Sequence, residues 1–150
     1  MLLLKQKLYD LCCGYLLSRE ASIKKIIAEA RIAATEDTKS SAGDKFETGR
    51  EMIQQEINLN LERLNELNKQ KLILDAIHTN QVCATVVPGA LVHTSQGAYY
   101  IGISAGPFII DGQTFYSISL ASPLGGHLGI HAKGDTFLFR DKSFTIKEVG

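Results

Sequence analysis

Tryptophan is absent, proline and cysteine occur three times each, and 16 basic residues cancel 16 acidic ones. Each scarcity removes a class of protein. Charge also balances within residues 1–80 and within 81–150. Neither half is a basic module, so tight binding to a free phosphate backbone is not expected. Long apolar runs are missing too. Met1-Leu2-Leu3-Leu4 is followed at once by Lys5, Lys7 and Asp10, which is too short for a signal-peptide core or a membrane span. The expected location is the cytoplasm, with no membrane partner. Cys12, Cys13 and Cys83 form no disulfide framework, being odd in number with two adjacent. Neighbouring helical positions face different ways, so Cys12 and Cys13 are poor joint ligands. All three read as small apolar fillers in a reduced compartment.

What is present is a split in periodicity. The expected fold is α+β, with residues 1–80 as an antiparallel coiled-coil hairpin and 81–150 as a small antiparallel sheet domain with one short helix. A first helix is predicted over Leu2–Ala34. Its apolar positions are Leu4, Leu8, Leu11, Tyr15, Ile23, Ile26, Ile27, Ala30 and Ala33, recurring at threes and fours. Gly14 weakens it by about 1 kcal/mol against alanine. A second helix is predicted over Asp44–Thr79. Ile53, Ile57, Asn60, Leu64, Leu67, Lys71 and Leu74 alternate steps of four and three, a coiled-coil seam with two polar intrusions that fix register at some loss of stability. No proline interrupts either helix. Each would be roughly 50 Å long at about 1.5 Å per residue. Leu72, Ile73 and Ile77 are expected to pack on the C-terminal domain.

The turn from Thr35 to Glu47 is rich in helix-breaking and capping residues, with Asp44, Ser40 or Ser41 as N-cap of the second helix. Glu36, Asp37, Asp44 and Glu47 are the tip groups suited to a hard cation such as magnesium. A solvated turn with capping acids accounts for them as well.

Beyond Pro88-Gly89, strands are predicted over Ala90–Thr94, Ala98–Ile103, Thr114–Leu120, Thr136–Arg140 and Ser143–Val149, with a short one at Phe108–Ile110. Ser95-Gln96-Gly97 and Asp141-Lys142 are hairpin turns. Ser122 and Pro123 open a short helix as N-cap and first helical residue.

These residues resemble the bacterial GreA/GreB transcript-cleavage factor family over nearly the whole chain. Ile27-Ala28-Glu29-Ala30-Arg31 is similar to the family's I-A-E-A-R, and Gly49-Arg50-Glu51 to its A-R-E. Ser122-Pro123-Leu124 through Leu128 to Lys133-Gly134-Asp135 resembles its S-P-I/L…L…G-D segment, and Val87 with Gly89-Ala90 its lead-in to the second domain. The resemblance implies an FKBP-like C-terminal domain and RNA polymerase as partner. The docking surface would be the short helix, with Ser122, Pro123, Leu124, His127 and Leu128. The tip would enter the secondary channel, where Glu36, Asp37 and Asp44 help hold a magnesium ion shared with the polymerase. That ion activates water against backtracked RNA, so contact with the nascent RNA is indirect and the factor alone is not an enzyme. The family's D-x-x-E-N before an aromatic is not kept. Counting back from Phe46 puts Lys39 and Ala42 at the acidic positions and Gly43 at the asparagine. Inhibition or modulation of the polymerase is therefore as compatible as cleavage. The other class of reading is a coiled-coil interaction or dimerisation protein.

Three further patterns carry less. Gly102-Ile103-Ser104-Ala105-Gly106 matches a G-x-S-x-G nucleophile elbow, with Asp111 and His127 following, but that motif needs a helix after the turn and Pro107 disfavours one. His127 and His131, with His93 as a third, have zinc-like spacing but no acidic or cysteine ligand beside them. Prolyl isomerase activity would rest on fold analogy alone, without a tryptophan-floored pocket.

Overall fold

The computed structural model describes residues 1–37 and 43–150; the side chains of residues 37 and 43–48 lie outside that description. In chain order the elements are α1 (Leu2–Asp37), α2 (Gly43–Asp75), β1 (Leu91–Thr94), β2 (Gly97–Ile101), β3 (Pro107–Ile110), β4 (Gln113–Ile118), α3 (Pro123–Gly129), β5 (Thr136–Phe139) and β6 (Lys142–Val149). The fold is α+β: a long helical hairpin, then a six-stranded sheet and a short helix. No helix among the described residues is long and apolar enough to cross a membrane.

The chain divides into two compact units, one of Leu16–Gln70 and the other of Met1–Tyr15 with Lys71–Gly150. In the first unit, Ile23, Ile27 and Ala30 of α1 and Ile57, Asn60 and Leu67 of α2 are buried. This unit holds only two helices, so each apolar stripe is covered by the other. The seam is clean on α2: Ile53 and Leu64 are half-buried, while Met52, Leu59 and Leu61 between them are exposed. Asn60 is 2 % exposed. Its amide donates to the Glu56 carbonyl at 2.9 Å, and its Oδ1 accepts from Arg63 at 3.4 Å. The buried amide therefore finds partners along its own helix.

In the second unit the strand order is β3-β4-β2-β1-β6-β5. Every neighbouring pair is antiparallel except β2 and β4, which run parallel with Tyr99 opposite Tyr116. The sheet is thus mostly antiparallel, as expected, with one parallel pair in its interior. Residues 102–106 carry the chain from β2 past the β4 position to the edge, and β4 returns between β3 and β2. Hairpins join β1 to β2, β3 to β4 and β5 to β6, and α3 lies between β4 and β5. Arg140-Asp141 and Asp111-Gly112 each place two successive residues at positive φ, the primed-turn geometry that matches strand twist. β6 divides its pairing, residues 142–145 with β5 and 146–149 with β1.

β1 and β2 are buried on both faces. On one, Val92, Tyr99 and Ile101 join Cys83, Val86, Leu128, Phe137, Phe144 and Ile146 in the main core. The other is covered by the base of the hairpin. There the Cys12 thiol meets the Ser117 hydroxyl at 3.3 Å, and Ser117 donates to the Ile103 carbonyl at 2.6 Å. Burial pushes the Cys12 thiol up to about 11 and raises the Tyr100 hydroxyl beside it. Ile77 packs so closely on Gly89, which has a φ of 95°, that a Cβ there would sit 3.0 Å from its Cγ2. Leu72, expected to pack here, is 70 % exposed, and Leu11 also faces outward. Their places on the buried stripe are taken by Lys5, Leu8 and Cys12, spaced by three and four.

Lys5 is 1 % exposed, although charged. Its ammonium donates to the Gln81 carbonyl at 2.6 Å and the Gly150 carbonyl at 3.3 Å, and lies 3.7 Å from the Cys83 Sγ. The methylene stem fills the apolar stripe, while the head finds acceptors at the sheet border.

Candidate functional site

The far end of the hairpin is the first candidate. Glu36 is exposed in the last turn of α1. Asp37 closes α1 and Asp44 lies in the first turn of α2, but their side chains are outside the described residues, as are Glu47, Phe46, Lys39, Ser40, Ser41 and Ala42. The last turn of α1 carries Glu36 and Asp37 with no basic residue. Of these two acids, the described side chain is that of Glu36, and it is exposed.

Just inside this end, Ala34, Thr35, Arg50, Ile53 and Gln54 line an open groove of about 220 Å³. Thr35 donates to the Arg31 carbonyl at 3.0 Å, while Arg31 and Arg50 are exposed. The sequence segment 27–31 divides by role: Ile27 and Ala30 are buried in the seam, and Ala28, Glu29 and Arg31 face out. An exposed carboxylate with two guanidinium groups in the same part of the unit can address a phosphate-bearing partner together with its metal.

The second candidate is the segment around α3. Ser122, in extended backbone, caps the helix. Its hydroxyl accepts from the Gly125 amide at 3.1 Å and donates to the Ser119 carbonyl at 2.6 Å. Gly125 is required by this turn, because a Cβ there would run into the Ser119 carbonyl. Of the docking candidates, Pro123 and His127 are exposed and Leu124 is half-buried against the core. Leu128 is fully buried in the core, so its side chain holds the helix down and is not available to a partner. Sequence reading missed the outward residue next to it, Ile130, which is 80 % exposed. The signal was its position just past the Gly129 end of the helix. His127 and His131 both stack on Phe137, with ring centroids 5.6 and 4.6 Å away. The His131 Nδ1 is 2.6 Å from the His127 carbonyl. Arg140 lies over Phe139 at 5.1 Å. The result is an aromatic and cationic surface at the β5 side of the unit.

Ser104 is exposed in the segment joining β2 to β3, and Gly106 leads directly into a strand. The helix that a nucleophile elbow requires does not follow it. Among the described residues no group of three or more histidine, cysteine, aspartate or glutamate side chains is placed to hold a metal ion. No protein-family model, curated protein or solved structure matches this chain.

Proposed function

We propose that this protein is an RNA polymerase-binding elongation factor of the GreA/GreB type. In this reading it docks through the α3 segment and carries the turn between α1 and α2 into the secondary channel. The observation that carries the reading is a coincidence of motif and element. The I-A-E-A-R-like segment lies late in α1, the A-R-E-like segment early in α2, and the S-P-L segment caps α3, on a hairpin followed by a sheet. The exposed Glu36 near the end of α1 is in keeping with a role for that end.

Glu36, Asp37 and Asp44 would act on a magnesium ion belonging to the polymerase, whose own chemistry is two-metal phosphodiester hydrolysis. The factor contributes carboxylates and positioning, and no turnover of its own is expected. A transcript-cleavage assay on stalled, backtracked elongation complexes tests this. Magnesium-dependent shortening of the RNA marks cleavage. Slowed transcription, or competition with a known cleavage factor, marks a modulator of the channel. No effect and no recovery with core polymerase at low salt rejects the reading. Replacing Glu36, Asp37 and Asp44 together by alanine should abolish the transcriptional effect while leaving polymerase binding nearly intact.

One observation favours a second reading, a coiled-coil interaction or dimerisation protein. Outside the seam, α2 exposes Met52, Leu59 and Leu61, and α1 exposes Leu17 and Ile32, apolar surface that a further helix would cover. Sedimentation that shows a mass rising with concentration would support it.

A further inference from the structure

Lys5 and Cys83 form a pair that the proposed function does not use. Both are in the compact unit that holds the sheet, and both are buried, at 1 % and 8 % exposure. The amine and the thiol are 78 residues apart in sequence and 3.7 Å apart in space. The other two cysteines have different surroundings. Cys12 faces the Ser117 hydroxyl, and Cys13 is next to Tyr9. Cys83 therefore has as its polar neighbour a lysine nitrogen held in place by two carbonyls.

We propose that Lys5 and Cys83 are a redox modification site, at which dioxygen links the two side chains through a single bridging oxygen, N–O–S. One N–H and one S–H bond are broken, and the N–O and O–S bonds form. Nitrogen and sulfur each give up two electrons. These four electrons reduce dioxygen, one atom becoming the bridge and the other leaving as water with the two protons. An ammonium–thiolate pair has the same composition as an amine–thiol pair, so the balance holds for either. Reversal takes four electrons, supplied by two equivalents of a dithiol, and returns amine, thiol and water.

The geometry favours this product over the ordinary fates of a cysteine. At 3.7 Å the nitrogen and sulfur are close to van der Waals contact, and a bent N–O–S bridge asks them to close by less than a direct S–N bond would. Burial keeps bulky oxidants and a second thiol away, while dioxygen is small and apolar. The bridge would tie the first turn of α1 to the segment before β1 and close a long loop, which restricts the unfolded chain as a disulfide does.

The test uses the full chain, purified under reductant and then divided. One half is held in air-saturated buffer and the other under dithiothreitol in the absence of oxygen. High-resolution mass measurement without reduction should show a gain of one oxygen and a loss of two hydrogens in the aerated half. Proteolysis should yield a linked pair of peptides containing Lys5 and Cys83, which dithiothreitol separates. The bridged form should melt at a higher temperature than the reduced form. Cys12→Ser should still form the link, and Cys83→Ser should not. The proposal is overturned if Cys83 is recovered as a free thiol after prolonged aeration. It is equally overturned if Cys83 is found only as sulfinic or sulfonic acid, or if the pair loses two hydrogens without gaining oxygen. The peptide map of the unsubstituted chain decides the matter even where a variant fails to fold.

Discussion

Replacing Lys5 by alanine and, separately, by methionine divides what its stem contributes from what its charge contributes. Alanine removes three buried methylenes, worth about 0.8 kcal/mol each, so roughly 2.4 kcal/mol is lost from the stem alone. A cavity left in the stripe with Leu8 and Cys12 brings the expected loss to about 2–4 kcal/mol. The charge is a closer balance. Hydrogen bonds from an ammonium are worth about 1.5–3 kcal/mol each, against a desolvation penalty of several kcal/mol for a buried ion. Only the Gln81 bond is short, and no carboxylate is among the partners. Neither carbonyl is orphaned when the amine is lost. Gln81 is exposed to water, and the Gly150 carbonyl still accepts from the Leu91 amide at 2.9 Å. Methionine keeps most of the stem and removes the ion, so Lys5→Met should lie within about 1 kcal/mol of the parent. Urea unfolding under reductant, followed by circular dichroism, measures both variants. If Lys5→Met loses as much as Lys5→Ala, the ammonium and not the stem is the stabilising part, and the reasoning fails.

Asn60→Leu should stabilise the hairpin by about 1 kcal/mol, because a buried amide is replaced by apolar volume, while weakening the preference for one register. Urea midpoints and sedimentation velocity read the two effects, and a destabilised, single species would contradict the account of Asn60. Gly125→Ala should destabilise by about 1–3 kcal/mol, since its Cβ meets the Ser119 carbonyl and disturbs the Ser122 cap; an unchanged melting temperature would contradict the turn. The raised Cys12 thiol gives a pH dependence. The unfolded chain ionises this thiol near 9 and the folded chain near 11. Between those values the folded state binds more protons, so stability should fall as pH rises, by roughly 2–3 kcal/mol over the window. Cys12→Ala should flatten that part of the profile, and an unchanged slope would argue against the burial of this thiol as its cause.

The two helices and all six strands were legible because each rests on local pattern. The α2 seam from Ile53 to Leu74 follows from steps of four and three, and its polar member Asn60 sits in the seam as the spacing required. Local pattern fails where distant parts decide. Lys5 reads as a solvated charge that ends an apolar run. Its burial depends on carbonyls 76 and 145 residues away, which no window around residue 5 contains. Leu72 and Leu11 were assigned inward for being apolar, but one helix face offers only so much cover. The parallel pairing of β2 with β4 was equally hidden, because a strand's sequence does not state which neighbour it will meet. Asp111-Gly112 is a signal of another kind, the ordinary mark of a two-residue hairpin. Of the candidate sites, the cap at Ser122 was readable from Ser-Pro, whereas the inward direction of Leu128 was not.

The bonds of Lys5 also set a timetable for synthesis. The first turn of α1 leaves the ribosome early, but its acceptor at Gly150 lies 145 residues further on. At about 5–20 residues per second, the amine waits on the order of ten seconds for that partner. The compact unit of Met1–Tyr15 and Lys71–Gly150 cannot close before then, although the hairpin of Leu16–Gln70 can already pair. During the interval the stripe of Leu8 and Cys12 stands uncovered beside the nascent chain. Such transiently exposed apolar surface is what chaperones exist to shield, and in sequence the segment that can pair first lies between the two parts of the unit that closes last.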